Sequence, residues 1–451
     1  MVNRLPPTVY VGPSLATMLL MTLNNKGPRV VIVGAGFAGI NAAKALAKAP
    51  VQVVVIDRKN HHTFQPLLYQ VALAVLSPAE IASPVRTVLR RAESVEVLLG
   101  EVQGFDLQKR LVRLEGLDVS YDYLIVAAGA THAYFGHPEW EQFAPGLKTL
   151  EDALEIRRRV LMAFEMAERD VIAQRPCPPL NFVVIGAGPT GVELAGAISD
   201  ISRRYMEDDF RAIDPTQARV ILLEGGPRVL PVYPEDLSAS AERQLKDMGV
   251  EVRTNAMVTN IEPGMVSVGN EKIPAAVILW GAGVAASSLG KMLGSPTDRA
   301  GRVIVQPDLS VPGHPEVFVA GDLVSATQKN GKPVPGVAPA AIQMGKFAAR
   351  QIKRAVAGKP SEEFKYLDKG SLATIGRSKA VADLGKLLHF SGYFAWLAWL
   401  FIHLLFLIGF RNRIMVMLDW AWSYITYKHS ARLITGDLEK GPAEKPKTKA
   451  G

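Results

Sequence analysis

Short runs of consecutive aliphatic residues, each closed by glycine or an acid, punctuate most of the chain. Residues 29–57 read R-V-V-I-V, a glycine-rich turn, an alanine-rich helix from Ile40, and then V-Q-V-V-V-I-D. Residues 181–224 repeat that order with N-F-V-V-I, a glycine-rich turn, an alanine-rich helix and A-R-V-I-L-L-E. Each unit is followed by another apolar strand ending in small residues, at 121–130 and at 273–283. Runs that are apolar at every position suit strands covered on both faces of a parallel sheet. The pattern predicts two Rossmann-like units. V-F-V-A-G-D at 317–322 and the helical stretch from Ala341 then return the chain to the first unit. Pro-rich segments near 175–179 and 307–315 are the expected crossings.

The expected fold class is therefore α/β, with two Rossmann-like dinucleotide-binding domains, the second inserted in the first, followed by C-terminal membrane-associated helices. The expected boundaries are an extension at 1–27, the first domain at 28–150 and 301–385, and the second at 151–300. The C-terminal helices take 386–436, and a disordered basic tail takes 437–451. From Tyr393 to Phe410 the sequence is apolar except for His403 and Gly409. An amphipathic stretch with Trp420, Trp422, Tyr424 and Tyr427 follows it. On hydropathy alone this run has the length of a short membrane span. A buried helix at a dimer contact is another arrangement it allows.

Composition narrows the chemistry. The chain has 451 residues, 48% apolar and 21% charged, which places it among folded proteins of two or three domains. The net charge is +8, and beyond residue 410 eight Lys/Arg face four Asp/Glu. A basic end beside an apolar segment suits an anionic lipid surface, and no nucleic-acid motif stands out. There is one cysteine, Cys177, in R-P-C-P-P. It reads as structural or incidental, so there is no dithiol to take electrons and no disulfide. Leu15 to Leu23 is a short apolar run without a convincing cleavage site. It reads as a native extension or as a start placed ahead of Met18 or Met21.

G-A-G-F-A-G at 34–39 follows a strand and opens a helix. In such a turn Gly34 permits the tight bend, Gly36 lets backbone approach a pyrophosphate, and Gly39 lets helix and strand pack closely. The helix N-terminus adds free N–H groups and a positive dipole for the phosphates. Asp57, ending the next strand, is placed for the ribose hydroxyls. G-A-G-P-T-G at 186–191 repeats the device, with Gly186, Gly188, Thr190 and Gly191 in the turn and Glu224 as the terminal acid. A carboxylate there favours NAD over NADP, and nearby Arg228 leaves a small opening for the latter. Gly129 and Gly283, at the ends of the two later strands, complete the expected FAD and NADH sites. Two fingerprints mean two dinucleotides: FAD at the first, with Asp322 near its ribityl or pyrophosphate, and NADH at the second.

The chain resembles the type II NADH dehydrogenases, single-subunit non-pumping NADH:quinone oxidoreductases of respiratory membranes. Beyond the glycine motifs, P-L-L-Y-Q-V-A at 66–72, S-L-A-T-I-G-R-S-K-A-V at 371–381 and the tail carry that resemblance. It implies that Gly34, Gly36, Phe37, Ala38, Gly39 and Asp57 hold the adenylate end of FAD, with Lys59 and Val102 adding adenine-side contacts, Val102 through its backbone. Asp322, Ala341 and Ile342 would lie along the flavin, and Glu193 near the nicotinamide and flavin, orienting the carboxamide or relaying a proton. Gln343 falls on the family's A-Q-x-A-x-Q motif, read here A-P-A-A-I-Q with Pro339 in place of the first Gln, and would bind a quinone carbonyl. Lys379 and Lys386 read first as solvated lysines, with an electrostatic role towards flavin or quinone as the alternative.

The resemblance further implies a quinone acceptor, ubiquinone or menaquinone, a homodimer and monotopic membrane attachment; the absence of an export signal and the need for cytosolic NADH place it at the cytoplasmic face of the cell membrane. A sulfide:quinone oxidoreductase, a soluble NADH oxidase or ferredoxin reductase, and a redox-gated NADH-binding protein are the competing readings.

Overall fold

The computed structural model describes residues 27–328, 331–385, 388–426 and 431–435. Tyr427, Lys386, most of the N-terminal extension and the basic tail lie outside the described residues.

The first sheet has six strands in the order Ser310–Val311, His314–Val319, Tyr123–Val126, Arg29–Val33, Gln52–Asp57 and Val95–Leu99. All neighbours are parallel except the edge pair 310–311 with 314–319. Val30, Val31 and Ile32 have no exposed surface; they share one core with the helices Phe37–Leu46 and Ala338–Val356 and with Val112, Leu114 and Val119. Burying each such side chain contributes about 1.5–3 kcal/mol. The second sheet is wholly parallel, in the order Val250–Arg253, Arg219–Leu223, Asn181–Ile185 and Val277–Trp280. In both sheets the fingerprint strand has a neighbour on each side, one reached by the next helix and one only after a later return. The turn after it therefore opens at a switch point, where ligands of open α/β sheets bind.

Two short strands join the halves. Ala130–His132 pairs antiparallel with Val284–Ala286, so the outgoing and returning crossings are hydrogen-bonded side by side. Each half also carries a three-stranded antiparallel meander, at 102–120 and at 258–274, that the strand reading passes over. The helix Ala338–Val356 then packs on the fingerprint helix Phe37–Leu46, so closely that a Cβ at Gly345 would lie 2.1 Å from the Ala38 carbonyl oxygen.

The apolar C-terminal run is divided. It forms the helix Tyr393–Phe406, breaks at Leu407–Gly409, and resumes as Phe410–Thr426. Gly409 takes φ +94°, and Leu407 is extended at ψ 132°. No described helix is long and apolar enough to cross a membrane, so the spanning arrangement is not realised. Trp399 and Val416 are buried against the body, whereas Phe394, Phe401, Phe410, Trp422 and Ile425 are exposed.

Candidate active site

At the first turn, Gly34 has φ +102°, and a Cβ on Gly39 would sit 1.8 Å from the Gly34 carbonyl oxygen. Both positions exclude any larger side chain. Asp57 closes the turn from the adjacent strand, accepting from the Ala35 N–H (2.6 Å) and the Lys59 N–H (2.8 Å). The cleft beyond has about 1130 Å³ of space and is lined by Gly34, Gly36, Phe37, Ala38, Asp57, Lys59, Gly129, Asp322 and Ala341. Nothing stands within 4 Å of the Cβ directions of Gly36 and Gly129. Gly39 lies behind the turn. Val102 is buried in the meander opposite Leu114, and Ile342 is half-buried on its helix; neither lines the cleft.

Two further residues of this cleft escaped the sequence reading. Lys148 reaches Asp322 across it, Nζ to Oδ2 3.4 Å. His62 is buried in the wall, and its Nδ1 lies 2.9 Å from the Ala35 carbonyl. A carbonyl only accepts, so Nδ1 carries the proton. Burial lowers the imidazole's proton affinity, and Lys44 adds to this. His62 is therefore neutral, and its Nε2 acceptor has no protein partner. The segment H-H-T-F-Q-P that holds it carries no motif of its own.

The second turn repeats the first closely. Gly186 has φ +92°, and a Cβ on Gly191 would again lie 1.8 Å from the carbonyl oxygen of Gly186. Glu224 accepts from the Ala187 N–H (2.6 Å) and the Gly226 N–H (2.7 Å). Gly188 has open space beside it, and Thr190 is half-buried in the first turn of the helix Pro189–Asp200. Gly281 rests on Gly191, and Gly283 follows two residues later. Arg228 spends its guanidinium on the carbonyls of Tyr233 and Pro231, both at 2.8 Å, which turns it from a phosphate site towards its own loop.

Glu193 stands on that same helix but faces a different space. A partly open cavity between the helix and the C-terminal pair is lined by Glu193, Asp200, Tyr69, Gln70, Thr374 and Trp420, among others. Burial pushes the Glu193 carboxyl up to about 8, so it keeps its proton at neutral pH. Burial, with Glu193 nearby, holds the Tyr69 phenol well above its ordinary range. Gln70 donates to Tyr69 Oη and accepts from Trp420 Nε1, each at 2.8 Å. Arg157 pins this segment from below through the carbonyls of Val71 (2.8 Å) and Leu76 (2.7 Å). Burial pushes its guanidinium down to about 10.

Aromatic rings bridge the first cleft to this cavity. Centroids step from Phe37 to Phe64 (5.8 Å), His403 (6.3 Å), Trp399 (4.1 Å) and Trp420 (6.0 Å). Burial pushes His403 down to about 4, and its Nδ1–H donates to the Trp399 carbonyl at 2.7 Å.

Other expected contacts fall elsewhere. Gln343 makes a two-way pair with the Leu367 backbone, donating to its carbonyl and accepting from its N–H, both at 2.9 Å. Lys379 turns to the Gln244 carbonyl (3.3 Å) and Asp247. Cys177 is exposed and lines neither the first cleft nor the Glu193 cavity.

Residues 28–345 match the profile of the pyridine nucleotide-disulphide oxidoreductases, and residues 369–429 match the NDH2 C-terminal domain. The chain is 47% identical over 443 residues to the type II NADH:quinone oxidoreductase NdhA of Mycobacterium tuberculosis, covering 93% of each. It belongs to the type II NADH:quinone oxidoreductase family. The same identity, over 423 residues and 90% of each chain, relates it to the Ndh enzyme of that organism. Among solved structures, the fold of this type II oxidoreductase resembles NDH2 from Plasmodium falciparum, with TM-score 0.80 at 20% identity over 91% of this chain and all of that one. The sulfide:quinone oxidoreductase of Aquifex aeolicus shares the fold less closely, with TM-score 0.68 at 18% identity over 89% and 96%. As a family member the chain is an NADH:quinone oxidoreductase, with a flavin and NADH as its redox partners.

Proposed function

We propose that this enzyme holds FAD in the first cleft, oxidises NADH at the second turn, and reduces ubiquinone or menaquinone in the aromatic cavity, without pumping protons. The residues of the first cleft fit FAD. The orphaned acceptor of His62 and the open space beside Gly36 and Gly129 leave room and polar contacts for it, and the N-terminus of Phe37–Leu46 offers N–H groups to its pyrophosphate. FAD held there would supply the two-electron redox chemistry between NADH and quinone.

The protein's own part is to place and protonate. Asp57 and Glu224 brace the two turns, and their remaining lone pairs would accept from the ribose hydroxyls. NADH, one proton and quinone balance NAD⁺ and quinol, so one proton must come from the protein or solvent. Protonated Glu193, in the cavity wall, is the donor that the geometry favours. That single observation carries the reading: a carboxylic acid kept neutral inside an aromatic cavity roofed by the C-terminal helices.

The exposed apolar faces of the C-terminal helices attach the enzyme, as a homodimer, to the cytoplasmic face of the membrane. Vesicle flotation tests the attachment. Phe401→Asp with Trp422→Asp, two exposed positions, should lower the bound fraction at least about tenfold, since a charge at such depth costs several kcal/mol. NADH oxidation with a water-soluble dye should continue. Undiminished flotation of the variant would refute the attachment.

A further inference from the structure

Several large hydrophobic side chains outside the C-terminal helices are exposed, and three of them stand at the two ends of the second turn's opening. Phe135 is 70% exposed, Met257 66% and Val284 54%. Single exposed apolar side chains are ordinary on a protein surface, so what marks Met257 and Phe135 is their placement over the glycines at 225 and 283.

At one end, Met257 drapes over Gly225, the residue after Glu224. A Cβ there would lie 2.7 Å from Cε and 3.2 Å from Sδ of Met257. The backbone is fixed beneath it, because Ala256 N–H donates to the Glu224 carbonyl and Asn255 N–H to the Gly226 carbonyl, both at 2.8 Å. The Met257 side chain thus covers the glycine that follows Glu224, the acid closing the second turn.

At the other end, Phe135 lies across Gly283, where a Cβ would meet its Cζ at 2.7 Å. Phe135 adopts φ +49°, a conformation uncommon outside glycine. Its loop is tied down by the Ala133 N–H to the Gly283 carbonyl at 3.1 Å, and by Trp280 Nε1 to the Ala133 carbonyl at 3.0 Å. The backbone is held in a costly shape that leaves an aromatic ring in water. This end leads towards the first cleft, since Ser287 N–H donates to the carbonyl of Gly129 in the cleft wall at 3.1 Å.

We propose that Met257 and Phe135 are the two ring-binding residues of the NADH groove, Met257 packing on the adenine and Phe135 on the nicotinamide half. The inference rests on the reading that the second turn takes NADH. Direction follows from Glu224: adenosine ribose at the carboxylate end leaves the nicotinamide at the end nearest the flavin cleft. A polarisable thioether and an aromatic face are both good surfaces for a flat heteroaromatic ring. Phe135 then does more than bind, because it limits where the hydride-bearing ring can lie.

ADP-ribose separates the two ends, since it carries the adenine and lacks the nicotinamide. Dissociation constants for ADP-ribose and NAD⁺ should be measured by calorimetry on the full-length, flavin-loaded protein and on M257A, F135A and F135Y. M257A should weaken both ligands about 3- to 10-fold. F135A should weaken NAD⁺ by a similar factor, leave ADP-ribose within about twofold, and slow flavin bleaching at saturating NADH. F135Y should restore all three. If F135A weakens ADP-ribose as much as NAD⁺, or if M257A spares ADP-ribose, the assignment is overturned. Wild-type protein that binds neither ligand would overturn the groove itself, a different result from normal binding with silent variants.

Discussion

The two fingerprint turns are nearly superimposable in their logic and opposite in their surroundings. Each has a left-handed first glycine, a third glycine whose Cβ would lie 1.8 Å from the first one's carbonyl, and a carboxylate clamping two backbone N–H groups. The first opens into a cleft walled by a buried histidine, a Lys148–Asp322 ion pair and a second helix. The second opens among exposed residues, with apolar side chains standing at its edges. One backbone device thus serves two residence times. Walls on several sides suit a cofactor that stays, and an open groove suits a substrate that must leave after every turnover.

Breaking each turn is the strongest test of that contrast. Gly39→Val should yield colourless protein, because the turn cannot close around the added side chain; overpacking of this kind costs about 1–3 kcal/mol or more. Gly191→Val should keep its flavin yet lose reduction by NADH by at least about 100-fold, the equivalent of roughly 3 kcal/mol of binding. Absorbance of the purified proteins before and after NADH reads both. Loss of flavin from the second variant would mean that the halves do not bind independently.

Glu193 sharpens the comparison by adding a third site on the helix of the second turn. Its carboxyl is pushed up to about 8, so it is protonated below that pH and loses its proton as pH rises through it. Quinone-dependent turnover should fall above about pH 8, and Glu193→Gln should remove that limb while lowering the rate at pH 7 about tenfold. NADH-dependent flavin bleaching should keep its pH dependence. An unchanged alkaline limb in the variant would remove Glu193 from proton delivery.

The smallest expected effect lies where the C-terminal helices meet the body. Burial and a hydrogen bond with Asp419 push Glu80 up to about 7, against the pull of the Ser77 N–H it caps. The folded state therefore binds this proton more tightly than the unfolded chain. The contribution to stability is complete below the ordinary carboxyl range and is lost as pH rises to about 7. Glu80→Gln should flatten the decline in Tm between pH 5 and pH 8 by a few degrees, given that about 1 kcal/mol moves Tm by about 2–4 °C or less in a chain this long. An identical slope in both proteins would show that the pair carries no such coupling.

Much of the scaffold was legible in the sequence, and the reason is physical. Strands such as Val30–Val33 and Val183–Ile185 are apolar at every position because both faces are covered, and glycine at 34 and 186 meets a backbone demand that few other residues satisfy. The meanders were not legible, because short edge strands such as 102–106 and 258–262 mix buried and exposed positions without a clean period. The division of the tail into two helices was legible, but the place of its break at Leu407–Gly409 was not, since hydropathy counts apolar residues and is blind to one glycine in a left-handed turn.

The site was read unevenly for a similar reason. Asp57 and Glu224 were found because a local rule places them at strand ends. His62, Lys148 and Arg157 act through partners 27, 174 and 86 positions away, and spacing along the chain carries no record of such contacts. Gln343 lay on a recognised motif, yet its amide is spent on Leu367, 24 positions on. The same distance effect hid Met257 and Phe135, which look like ordinary loop residues until the fold sets them over Gly225 and Gly283.

Anaerobic stopped-flow absorbance tests the central claim most directly. The purified, detergent-solubilised protein is mixed with NADH and then with a short-chain ubiquinone or menaquinone. The account predicts that NADH bleaches an oxidised-flavin band and that quinone restores it at a rate matching turnover. Bleaching that quinone fails to reverse would contradict the assignment of the aromatic cavity as the acceptor site, and the absence of any flavin band would contradict the first cleft as well.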